Sequence, residues 1–96
     1  MIRRIVRLEF DPARVQEFTT FFKANRQTIA SFPGCISLDI YKDAGLDNVY
    51  YTFSLWESEA ALEAYRHSET FNLLWSYAKQ RFSGKPLAYS LVSVEN

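Results

Sequence analysis

Residues 48–57, Asn-Val-Tyr-Tyr-Thr-Phe-Ser-Leu-Trp-Glu, read as a strand that carries large side chains on both faces. Successive side chains of a strand alternate, so Val49, Tyr51, Phe53 and Leu55 share one side while Tyr50 and Trp56 lie on the other. An antiparallel sheet wetted on one face alternates apolar with polar residues more cleanly than this. Both faces are therefore expected to be covered. Helices elsewhere in the chain can cover one, and a second copy of the chain is the simplest cover for the other. With 96 residues the chain is read as one domain over 1–96, with no room for a second core. Yet it holds eight Phe, six Tyr and two Trp, more aromatic surface than so small a core encloses unless some lines a pocket or an interface.

The rest of the chain supplies the partners of that strand. Residues 2–10 alternate, with Ile2, Val6, Leu8 and Phe10 on one face and Arg4 as the exception among them; Arg3, Ile5, Arg7 and Glu9 take the other face. Asp11-Pro12 then opens a helix, since Asp caps free amides and Pro is pre-shaped for a first turn. Val15, Phe18, Phe22, Ile29 and Phe21 form its apolar stripe. Pro33-Gly34 closes that segment before a strand at 35–42, in which Ile36, Leu38 and Ile40 share a face opposite Ser37, Asp39 and Tyr41. Residues 43–47 have turn chemistry. Ser58 and Ser68 are N-caps of two further helices. Leu62 and Tyr65 share a face of the first, and Phe71, Leu74, Trp75, Ala78 and Phe82 form the inner stripe of the second. Ser83-Gly84-Lys85-Pro86 breaks the chain before a last strand at 87–95. The order is β-α-β-β-α-β, which predicts an α+β, ferredoxin-like fold: a four-stranded antiparallel sheet with helices on one face.

Charge and composition narrow the function. Eleven basic residues balance eleven acidic ones without a basic block, so nucleic acid is not an expected partner. One His and one Cys leave no multi-histidine or multi-thiolate metal site within one chain. The three glycines stand singly at predicted breaks, so no Gly-rich phosphate cradle is present, and neither flavin nor nicotinamide is expected. No Gly-x-Ser-x-Gly elbow occurs. A lone Cys35 fits a reducing compartment, and no apolar run is long enough for a membrane span; a cytoplasmic protein without membrane partners is expected. Ligand binding, or chemistry that the substrate largely performs itself, is what remains.

The aromatic strand ending in Trp56-Glu57-Ser58, the helix that follows, the His67-Ser68 break, the second aromatic helix to Trp75 and the upstream Phe32-Pro33-Gly34-Cys35 come in an order that resembles the antibiotic biosynthesis monooxygenase family. The resemblance extends over nearly the whole chain and implies a homodimer in which two sheets face each other as a dimeric α+β barrel. It also implies oxygenation of a small quinol-like or polyphenolic aromatic molecule by molecular oxygen, with no cofactor. Haem-degrading relatives use a first-strand asparagine, a tryptophan and an iron-ligating histidine. Here the first strand has no Asn, Tyr65 stands in place of the tryptophan and Trp75 in place of the histidine, so haem degradation is not expected.

On that reading Tyr65 and His67 are the candidate catalytic residues and Trp56, Phe71 and Trp75 the substrate-binding ones, His67 for its imidazole although it lies two residues after the family's usual histidine. Tyr65 replaces a histidine common in the family, and Thr70 replaces another. A phenol donates a hydrogen bond but is a poor base near neutrality. His67 carries the chain's only imidazole, the side-chain type suited to proton exchange near neutral pH. It also falls at the predicted break between helices, where a solvent-facing or capping role is the alternative. Trp56 is either pocket wall or plain packing and interface surface. Asp39 is either a base or an ion-pair partner of Arg3 or Arg7. Cys35 reads as a small strand residue. A non-catalytic dimer that binds an aromatic ligand or serves a stress response is the alternative to the enzyme.

Overall fold

Where the hydrophobic period switches between two and three-to-four, the secondary structure switches with it. The computed structural model describes residues 1–95 and runs β1 (Ile2–Glu9), a 3-10 turn (Pro12–Arg14), α1 (Val15–Ala30), β2 (Cys35–Lys42), β3 (Val49–Trp56), α2 (Glu59–Arg66), α3 (Glu69–Lys79) and β4 (Leu87–Leu91). The Asp11 carboxylate accepts from the Ala13 amide at 3.0 Å, satisfying a free donor at the start of the turn that leads into α1. The four strands form one antiparallel sheet in the order β2-β3-β1-β4, the α+β ferredoxin-like plan expected from the sequence.

Register decides which residues share a face, because directly paired residues of an antiparallel ladder project to the same side. Arg4 lies opposite Ser54 on β3 and Ser90 on β4, Val6 opposite Thr52 and Ala88, and Leu8 opposite Tyr50. This side meets the helices. The core there joins Leu8, Phe10, Leu38 and Ala78 to Phe18, Phe22 and Ile29 from α1. Phe10, wholly buried, stacks on Phe18 at 4.1 Å and makes an isolated bridge with Phe82, which ties the end of β1 to the chain beyond α3. The other side of the sheet presents Ile5, Phe53, Tyr51, Leu55, Tyr41, Tyr89, Leu87 and Leu91, away from the helices of the described residues.

The structure changes the expected strands in two places. β4 ends at Leu91, where an extension to residue 95 was expected. Leu91 already lies opposite Arg3, so the following residues run past the start of β1 and have no ladder to join; Val92 and Val94 are exposed. The strand at 35–42 is interrupted by a register shift between Cys35 and Ser37. The extra residue of a bulge leaves the alternation. Ile36 is accordingly 46% exposed and does not join Leu38 and Ile40, while Cys35 lies opposite Trp56.

Candidate functional site

Two serine caps set the geometry of the helical layer. Ser58 Oγ accepts from the Ala61 amide at 3.1 Å and starts α2 directly after Trp56 and Glu57. Ser68 Oγ accepts from the Phe71 amide at 3.0 Å and donates to the Tyr65 carbonyl at 2.6 Å, so one hydroxyl closes α2 and opens α3. Such caps contribute about 1 kcal/mol each. The tight junction turns Tyr65, near the end of α2, toward Phe71 and Trp75 at the start and middle of α3.

Between the helices and the sheet lies a cavity of about 350 Å³. Its floor is Val6, Leu8, Leu38, Thr52, Ser54 and Trp56; its roof is Phe18, Phe22 and Ile29 from α1, Leu62 and Tyr65 from α2, and Phe71, Leu74 and Trp75 from α3. One wall is a continuous file of rings. Trp56 stacks on Tyr65 at 5.0 Å and 27°, Tyr65 meets the edge of Phe71 at 5.2 Å, Phe71 stacks on Trp75 at 5.8 Å, and Trp75 meets Phe82 at 5.5 Å. Offset and edge contacts of this kind suit the quadrupoles of the rings. Trp56 is 1% exposed, and its indole N–H donates to Ser54 Oγ at 2.9 Å, which gives both buried polar groups a partner.

Tyr65 is the polar element of that wall. Burial first, and then the charge that the neighbouring Cys35 would take on, push its phenol up to about 12. It therefore stays protonated throughout the neutral range and serves as a hydrogen-bond donor, not as a base. Burial likewise pushes up the Cys35 thiol, despite its contact with the Ser37 carbonyl, so the reactive thiolate is disfavoured.

The structure thus brings Tyr65, Trp56, Phe71 and Trp75 around one cavity and leaves His67 out of it. His67 follows the last residue of α2; its side chain is 78% exposed, with Nε2 3.2 Å from Glu63 Oε2. His67, expected to handle protons, does not line the cavity: two residues beyond Tyr65, it falls on the other side of the helix end. Asp39 is also away from the cavity. Its Oδ1 is 3.7 Å from Nη2 of Arg26 on α1, and neither Arg3 nor Arg7 is its partner. Arg26 reaches it by crossing the edge strand β2, where it also donates to the Leu38 carbonyl at 2.5 Å.

Sequence reasoning missed three participants. Phe32 places its edge against both Tyr65, at 5.2 Å, and Trp56, at 6.4 Å. Arg4 and Arg66 both line the cavity. For Arg4 the signal was present, as the one charge on the otherwise apolar face of residues 2–10. For Arg66 none was, since a basic residue in the last turn of a helix is commonplace. Among the described residues no carboxylate or imidazole lines the cavity, and no cluster of three His, Cys, Asp or Glu side chains suited to a metal ion occurs. Nor is any described helix long and apolar enough to cross a membrane.

Comparison with known proteins gives a consistent result. The sequence profile of the family described as "Antibiotic biosynthesis monooxygenase" matches residues 1–73. A crystal structure described as an antibiotic biosynthesis monooxygenase superimposes with a TM-score of 0.91 at 16% identity, covering 98% of this chain and 99% of the other. Rv0793 from Mycobacterium tuberculosis gives 0.89 at 18% identity, covering 99% and 96%. A conserved protein from Methanosarcina mazei Go1 gives 0.88 at 19% identity, covering 94% and 89%. At such identities the likeness concerns the fold alone. No curated protein matches the sequence.

Proposed function

Because this chain belongs to the antibiotic biosynthesis monooxygenase family, we propose that its cavity holds a small electron-rich aromatic ring of quinol or polyphenol type. There the ring reacts with molecular oxygen without a bound cofactor. The observation that carries this reading is the cavity itself, about 350 Å³ walled by Trp56, Tyr65, Phe71 and Trp75, with the Tyr65 phenol as a protonated donor in a mostly apolar lining. A cavity of about 150 Å³ accepts a benzene ring, so this one has room for roughly two fused rings.

The chemistry asks little of the protein. A ring hydroxyl loses its proton to solvent, and the oxyanion passes one electron to oxygen. The ring radical and superoxide then join at a ring carbon that bears hydrogen. The peroxide formed there takes up a proton, its O–O bond breaks, and the departing hydroxide removes the hydrogen of that carbon as water. One oxygen atom ends in a ring carbonyl and the other in water, with all four electrons drawn from the substrate. Tyr65 donates a hydrogen bond to the ring oxyanion, the aromatic file holds the ring, and exclusion of water strengthens the polar contact. With no carboxylate or imidazole on the cavity wall, the ring must ionise by itself, so the rate rises with pH through the ionisation of the substrate.

Oxygen uptake with a panel of hydroquinones tests the proposal. Tyr65→Phe is expected to lower turnover about 100-fold with little change in KM, the usual cost of losing one oxyanion donor. His67→Ala is expected to leave turnover within about twofold, since a residue outside the cavity contributes nothing to a ~100-fold effect. Equal loss in both variants would return proton handling to His67. Ring binding, read from quenching of the Trp56 and Trp75 fluorescence, without oxygen uptake would leave an aromatic-ligand binder in place of the oxygenase.

The same reading includes a homodimer. The sheet face away from the helices presents Phe53, Leu55 and Ile5 beside Tyr41 and Tyr89, which are 57% and 54% exposed. Two such faces packed together would bury at least ~1,200 Å², the low end of stable interfaces. Light scattering is expected to give twice the 11.2 kDa of the chain. A single-chain mass at every concentration would remove the dimer.

A further inference from the structure

The guanidinium groups of Arg4 and Arg66 stand out against an apolar cavity. Both line it, one from the central strand β1 and one from the last turn of α2. Arg4 is half-buried, on the helix side of the sheet, where it lies opposite Ser54, the residue that holds the Trp56 indole. Its side chain donates at 2.8 Å to the hydroxyl of Ser90, a neutral group. Among the described residues no carboxylate pairs with it. Arg66 pairs with Glu63 at 2.8 Å, and that same carboxylate is shared with His67.

A half-buried cation whose direct partner is a neutral hydroxyl is costly, and a second cation near it adds to the cost, only partly offset by Glu63. Burial, followed by the charge of Arg66, holds the Arg4 guanidinium below the usual arginine range, with Glu63 opposing. A chain that needed only packing at residue 4 would place an apolar side chain there, as it does at Val6 and Leu8. From this juxtaposition we propose that Arg4 and Arg66 form an anion subsite of the cavity, which selects aromatic ligands bearing a carboxylate. The inference rests on the reading of the cavity as an aromatic-binding site and adds the class of ligand. The ring lies against the aromatic file, and its carboxylate reaches the two guanidinium groups, whose planar donors match its two oxygens.

The test compares 2,5-dihydroxybenzoate with its methyl ester by calorimetric titration of the full-length protein. The pH is set at about 6.5, where a carboxylate is ionised and a phenol is not. The wild type is expected to bind the acid at least about tenfold more tightly than the ester, the value of one good charge-assisted hydrogen bond. Arg4→Gln and Arg66→Gln are each expected to remove most of that preference while leaving ester affinity within about twofold. Arg4→Lys, which keeps the charge but loses the planar fork, is expected to retain part of it. Arg66 is exposed on its helix, so Arg66→Gln remains informative if Arg4→Gln fails to fold.

Equal affinity for acid and ester, or a preference that survives both substitutions, overturns the anion subsite. So does an arginine effect seen only with the ester above the ionisation of its phenol, which would assign the pair to a phenolate. In each of these cases the aromatic site stands, because the ester still binds. Failure of both ligands to bind overturns the subsite and the aromatic cavity together.

Discussion

Trp56→Ala is expected to lower the unfolding free energy by about 3–5 kcal/mol, the range for removing a fully enclosed large aromatic. The indole is 1% exposed, stacks on Tyr65, meets the edge of Phe32 and donates to Ser54. Alanine removes the packing and leaves the Ser54 hydroxyl without that partner. The whole domain is stable by roughly 5–14 kcal/mol at the usual value per residue, so the loss is about a fifth of it or more. Urea unfolding at one fixed protein concentration measures it, since association would otherwise shift the midpoint. Trp56→Phe, which keeps a ring on Tyr65, is expected to cost less than half as much. A loss under about 1 kcal/mol for alanine would mean that the indole is not enclosed and that its role is confined to ligand contact.

Gly34→Ala carries the second large effect, and it acts on the same corner. Gly34 has φ +89°, a backbone conformation that side chains disfavour by about 1–2 kcal/mol. A Cβ there would also collide with the Cβ of Ala61 on α2. Its carbonyl accepts from the Glu57 amide at 2.9 Å, which fixes the turn against the start of α2. Strain and overpacking together are expected to cost about 2–4 kcal/mol. The collision would push away the helix that carries Tyr65 and Arg66, so ligand affinity falls as well. The double variant Gly34→Ala/Ala61→Gly separates the two contributions. It removes the collision and keeps the strained φ, so it is expected to recover ligand binding more fully than stability. Recovery of neither would show that the turn itself, and not its contact with α2, holds the site.

The legibility of this chain follows the range of the forces involved. Alternation along residues 2–10 and 48–57, and the helical spacing of Phe18, Phe22 and Ile29, are local consequences of burying one face. They foretold the element order and the ferredoxin-like sheet. The serine caps at 58 and 68 were readable for the same reason, since a cap acts within three residues. The end of β4 was not readable, because it depends on where β1 begins, more than eighty residues earlier. The bulge at Ile36 was hidden too: nothing in Cys35-Ile36-Ser37 marks an extra residue that only the ladder with β3 makes visible.

The site divides along the same line. From the residues alone came the aromatic supply, Trp56, Tyr65, Phe71 and Trp75, and the family order that nominated them. Folding turned that supply into a cavity. The Ser68 junction directs Tyr65 at Phe71 and leaves His67 in solvent, and β1 carries a half-buried Arg4 into the same space as Arg66, sixty-two positions later in the chain. Side-chain type and spacing record what a segment can bury. Which charges and rings end up facing one another depends on strand register and on the angle at which α2 meets α3, and both are settled by packing between distant parts of the chain.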